Sequence, residues 1–181
     1  MAHTWNELLN YIDMYLKGID NNFTKNLIER DIDVTSLPDE FKEIANIGNS
    51  AFSGCTNLAL TSLPSGIISI KRLSFFSCSN LALTSLPDGV TNIEHDAFYN
   101  CINLALTSLP ESITNIGTHA FTGCTNLSSI TFKGTPDSIG ESVFEYCTNL
   151  TTINVPWAEG AVAGAPWGAT NATINYNYVI S

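Results

Sequence analysis

The chain has 181 residues, 44% of them apolar and 13% charged, and a net charge of −10 at neutral pH. That length and apolar share suit one domain with a continuous narrow core, and no stretch reaches the roughly 18 apolar residues of a membrane span. After Arg72 only Lys133 is basic, against eight acids, so the cationic face that binding to nucleic acid or an anionic membrane requires is missing.

Residues 1–33 read as an N-terminal cap. Trp5, Leu8, Leu9, Ile12, Tyr15, Leu16 and Ile19 recur at helical spacing on one face, Thr4 and Glu7 form a capping box, and Lys17-Gly18 closes the segment. The pattern predicts an amphipathic helix of about three to four turns, which either covers the open end of a core or engages a partner. The first residues, Met-Ala-His-Thr-Trp-Asn-Glu, lack the basic region and apolar core of a secretory signal, and no lipidation motif or sorting anchor is evident. The expected setting is the cytoplasm or a phage particle, unless an export signal has been trimmed. A lead-in then reaches Val34-Thr35-Ser36-Leu37-Pro38, a degenerate first coil.

Residues 34–156 are periodic. Cys55, Cys78, Cys101, Cys124 and Cys147 stand 23 residues apart, each preceded at three residues by phenylalanine (Phe52, Phe75, Phe98, Phe121, Phe144) and followed by Asn-Leu. Eight residues after each cysteine comes Leu63, Leu86, Leu109, Phe132 or Val155, then proline in four of five cases; Ile47, Ile70, Ile93, Ile116 and Ile139 form a further column. A period of this length marks units that cannot bury an apolar face alone and must stack on copies of themselves. Each unit reads as an extended run stopped by proline, a turn, a second short run ending at isoleucine, and a tight helical or turn piece across Ala-Phe-x-x-Cys.

The run from Leu104 to Pro110, followed by Ile116-Gly-x-x-Ala-Phe-x-x-Cys124, resembles the BspA-type (treponemal) leucine-rich repeat. The resemblance covers residues 34–156. It implies an α/β repeat solenoid with 23-residue coils, here with an N-terminal helical cap and a C-terminal β cap. Members occur as bacterial surface adhesins, in large secreted proteins, in some protists and in phage-associated proteins, so the resemblance implies architecture more than activity. Two segments depart from it: Lys71-Arg72-Leu73-Ser74 stands where Gly-x-x-Ala is usual, and Lys133-Gly134-Thr135-Pro136 replaces a proline turn. Both are expected to make their coils less regular.

Several columns invite a chemical reading. The five cysteines are odd in number and contain no Cys-x-x-Cys; stacked in register they cannot easily reach a disulfide torsion, and they read as small buried packing residues. The asparagine column supplies amides that replace lost ladder partners at turns. His95 and His119 fall on adjacent coils near Glu94 and Asp96, but their spacing matches no metal motif, and no metal, cofactor or catalytic residue is expected. Outside the apolar columns runs a strip of Thr61-Ser62, Thr84-Ser85 and Thr107-Ser108, continued with a shift at Ser128-Ser129 and Thr151-Thr152. It is a candidate contact surface or an unoccupied solvent face, and none of its hydroxyls has an adjacent base.

Residues 157–181 form a Trp/Tyr-rich end. Pro156-Trp157 and Pro166-Trp167 stand ten residues apart on a loop of small residues, and 173–179 alternates so that Ile174, Tyr176 and Tyr178 share one face of a predicted strand. Either the tryptophans pack beneath that strand as a second cap, or Trp157, Trp167, Tyr176 and Tyr178 form an aromatic contact edge. The segment also resembles tails of proteins encoded by phages and prophages of gut Firmicutes. The sequence thus points to a non-enzymatic module of bacterial or phage origin that binds a protein or glycan. An alternative is an inhibitor or decoy whose acidic face occupies a basic host protein.

Overall fold

The computed structural model describes residues 46–179. The expected N-terminal helix at residues 1–33 and the degenerate coil at 34–38 lie outside them. The isoleucine column builds a five-stranded parallel sheet from β1 (Asn46–Ile47), β2 (Ser69–Ile70), β3 (Asn92–Ile93), β5 (Asn115–Ile116) and β7 (Ser138–Ile139). Its register places Ile47, Ile70, Ile93, Ile116 and Ile139 side by side. A four-stranded parallel sheet contains β4 (Ser108–Leu109), β6 (Ser129–Phe132), β8 (Thr152–Asn154) and β9 (Thr173–Asn175). Because each isoleucine and leucine column meets its own copy one coil away, the core is one continuous apolar prism.

The third side, Ala-Phe-x-x-Cys, is made of turns, and no helix occurs among the described residues. Over the described residues the solenoid is therefore built of strands and turns, and the helical component of the expected α/β class is not found among them. Alternate N–H groups point in two directions: Ala97 and Tyr99 donate back to Glu94 O and Asp96 O, whereas Asp96, Phe98 and Asn100 donate to Thr118 O, Ala120 O and Thr122 O on the next coil. An α-helix would need all of them for bonds four residues back. Each coil also turns twice through left-handed backbone, at Ser50, Leu73, Asp96, His119 and Ser142 (φ 53–58°) and at Gly54, Ser77, Asn100, Gly123 and Tyr146 (φ 55–74°). For a leucine or a tyrosine that conformation is intrinsically unfavourable, and the inter-coil bonds on either side hold it.

The cysteines prove to be more than packing residues. All five are buried and free, and the thiols of Cys78, Cys101, Cys124 and Cys147 donate to the carbonyls of Phe52, Phe75, Phe98 and Phe121 at 2.9, 3.0, 3.1 and 3.1 Å. Each S–H thus ties its coil to the one before it, beneath a column of phenylalanines stacked at 5.3–5.8 Å. The exposed asparagines ladder as expected: Asn103 Nδ2 donates to Asn80 Oδ1, Asn126 Nδ2 to Asn103 O, and Asn149 Nδ2 to Thr125 O.

Neither departure from the repeat loosens its coil. Ser74 replaces alanine in the core and donates to Lys71 O at 2.6 Å, with Gly48 O at 3.0 Å, while Lys71 pairs with Glu94 at 3.0 Å. At the second site the outcome is opposite to expectation, because β6, the longest strand among the described residues, ends there. Proline has no N–H to give the ladder, whereas Lys133 N–H donates to Leu109 O at 3.1 Å.

Candidate functional site

The Thr-Ser strip is exposed because of how its coil spaces the core. In the first three coils Leu60 and Leu63, Leu83 and Leu86, and Leu106 and Leu109 all turn inward, leaving two residues to bridge each pair on the outside. Thr61, Ser62, Thr84, Ser85 and Thr107 are exposed, and Ser108 is half-buried. In the next coils Ile130 and Phe132, then Ile153 and Val155, alternate in true strand fashion, which explains why the hydroxyl run is shifted there.

Where the strip turns the corner, Ser62, Ser85 and Ser108 line a groove of about 390 Å³ that crosses the coils. Leu63, Leu86, Pro87 and Pro110 give it apolar surface, while Asp88 and Lys133 add one carboxylate and one ammonium. The serines belong to successive coils, so their hydroxyls repeat at about the 4.8 Å spacing of paired strands. Beyond Lys133 the same column closes on itself: Asn154 Nδ2 donates to Thr131 Oγ1 at 3.1 Å and Asn175 Nδ2 to Asn154 Oδ1 at 2.8 Å. Sequence reasoning located the serines but missed the groove with Asp88, Pro87 and Lys133. The available signal was Lys133 itself, which interrupts the proline column.

The aromatic end divides differently from the expected contact edge. Trp157 and Trp167 are buried, with exposures of 6% and 1%. They pack on each other and around Phe132 at ring separations of 5.2–6.3 Å, and Trp167 Nε1 donates to Ala163 O at 2.8 Å. They are therefore not surface contacts, contrary to the contact-edge alternative: they seal the core end beneath β9, which continues the sheet as the expected cap strand. Tyr176 is half-buried against the core, and Tyr178 remains exposed. The strand stops at Asn175, short of its alternating pattern, because Asn177 enters left-handed backbone and Tyr178 N–H turns back to Val155 O.

The remaining chemical candidates are sparse. His119 Nδ1 lies 3.5 Å from Asp96 Oδ1, and among the described residues no three His, Cys, Asp or Glu side chains gather as a metal site. No helix among them is long and apolar enough to cross a membrane. Burial pushes the Cys55 thiol up to about 12 and the Cys147 thiol up to about 11, and it raises Cys78, Cys101 and Cys124 as well, with neighbouring thiols adding to Cys78 and Cys124. A disulfide reagent at mild alkaline pH is therefore expected to leave all five unreactive in the folded protein and to titrate all five after denaturation. Rapid reaction of the native protein would contradict the buried ladder. The unfolded chain releases thiol protons from its ordinary value of 9.0 while the folded chain holds them. Stability is complete below that pH and falls as pH rises from about 9 through the raised folded values, so the urea midpoint should drop over that range.

A protein-family model described as the BspA type leucine rich repeat region matches residues 38–159 in six copies. Among solved structures, a leucine-rich repeat protein from T. pallidum aligns with a TM-score of 0.59 and 29% identity over 75% of this chain and 64% of that one. A leucine-rich repeat protein from Bacteroides ovatus aligns with a TM-score of 0.42 and 26% identity, covering 61% of this chain and 35% of that one. This chain thus spans less than two thirds of either solved protein. No curated protein matches it.

Proposed function

The chain belongs to the BspA-type leucine-rich repeat family, and on that premise we propose that it is a non-enzymatic binding module that holds a protein or glycan in its serine-lined groove. The observation that carries this reading is the groove itself, a concave surface joining four coils and combining outward hydroxyls, an apolar lining and two opposite charges. A concave site of several hundred Å³ with a few convergent polar groups is a common form of ligand seat. A regular solenoid presents such a seat at little ordering cost, because its coils are already fixed by their ladders. The lining set contains serines but no histidine or cysteine, which suits recognition better than covalent catalysis.

The test is binding of the whole chain to arrayed glycans and proteins, compared with Ser85→Trp, which fills the groove from an exposed position. The variant should keep the melting temperature and lose at least about tenfold in affinity. Unchanged binding by a folded variant would remove the groove from the reading. Capture of a basic protein that is released by salt and indifferent to Ser85→Trp would instead favour the acidic-face decoy.

A further inference from the structure

The groove is bounded at one end by a break in its own wall. Pro64, Pro87 and Pro110 follow the buried leucines in successive coils, and the next position in that column is Lys133. The ladder there requires a residue with an N–H, which Lys133 supplies to Leu109 O, but it does not require an ammonium. Gly134 lets the turn close on the preceding coil, where a Cβ would collide with the Glu111 carbonyl. The Lys133 side chain is exposed and lines the groove, and Lys133 is the only basic residue after Arg72.

Resting on the reading of the groove as a binding site, we infer that its ligand is a saccharide chain, neutral along most of its length, that ends in one carboxylate-bearing sugar held at Lys133. Pro87 and Pro110, which line the groove, have no N–H to give a peptide strand, so main-chain pairing with a peptide is limited there. Recognition falls to side chains. Ser62, Ser85 and Ser108 each offer a donor and an acceptor in a row that suits successive ring hydroxyls, and Leu63, Leu86 and Pro87 give the C–H faces an apolar support. Lys133 takes the carboxylate. A polyanion is disfavoured by Asp88 within the groove and by the net charge of −10. A single carboxylate held at Lys133 pairs with the adjacent cation, while acids farther away than about 8–10 Å are screened by salt.

The experiment measures binding of the whole chain to sialyllactose, lactose and a short oligogalacturonate at physiological salt. The expected order is sialyllactose first, about tenfold above lactose, the size of one charge-assisted hydrogen bond, with oligogalacturonate below sialyllactose. Lys133→Gln should reduce sialyllactose to the lactose level at an unchanged melting temperature, and Lys133→Arg should retain the preference. Equal binding of sialyllactose and lactose, or a preference that survives Lys133→Gln, overturns the inference while leaving the groove as a saccharide site. Oligogalacturonate binding best overturns the single-carboxylate assignment. Binding of none of the three overturns the inference, and the broader groove reading then stands or falls on Ser85→Trp with the arrayed ligands.

Discussion

Phe98→Ala is expected to destabilise the protein by about 3–5 kcal/mol, the range for removing a fully buried phenylalanine. For a chain of this size that corresponds to a fall in melting temperature of roughly 6–20 °C. Phe98 is wholly buried and stacks between Phe75 at 5.4 Å and Phe121 at 5.3 Å, with ring planes within 6°. The site cannot collapse around the missing ring. Its backbone is held on the next coil by Phe98 N–H to Ala120 O at 2.8 Å, and its carbonyl accepts both Cys101 N–H and the Cys124 thiol at 3.1 Å. The cavity therefore persists, which places the cost toward the upper part of the range. Urea unfolding checks it: a loss below about 1 kcal/mol would show that the phenylalanine column is not the structural axis.

Trp167→Ala is expected to cost a similar amount, about 3–5 kcal/mol, but in a different place. Trp167 is 1% exposed, packs on Phe132 and Trp157, and bonds through Nε1 to Ala163 O. Its carbonyl also accepts Phe144 N–H at 2.9 Å, so it stitches the last turn to the coil of Cys147. In a solenoid each unit touches only its neighbours. Loss of this ring should first release β9 and the Trp157 loop, with hydrogen-exchange protection falling there and remaining high around Phe75 and Phe98. Uniform loss along the chain would contradict a local cap. Ligand binding in the groove should survive, since its lining runs from Ser62 to Lys133. A variant that folds normally but loses binding would return the tryptophans to the contact surface.

The fold was largely legible because its columns are absolute. Phenylalanine, cysteine, leucine and isoleucine recur every 23 residues, and a residue that meets its own copy one coil away must satisfy the same packing each time. Ala-Phe-x-x-Cys is open in sequence between a helical piece and a turn, because short apolar spacing does not distinguish a helical turn from a turn whose alternate N–H groups leave the coil; the turn is what forms. The candidate site was half legible. Ser62, Ser85 and Ser108 stood outside the apolar columns and were found; Asp88 and Lys133 sit on turns, where nothing in the spacing says which way a side chain leans.

What the sequence by itself determined was the coil length, the register and the identity of the core columns, since these follow from periodic burial along one chain. Only the tertiary structure decided that the Cys78 thiol bonds to Phe52 O, that Trp157 and Trp167 lie inside the end of the core, and that the serines share a groove with Lys133. Each of these depends on what the adjacent coil presents at a given point. Repetition specifies that neighbour's backbone, but the direction of a donor or the closure of a loop is set by packing in three dimensions.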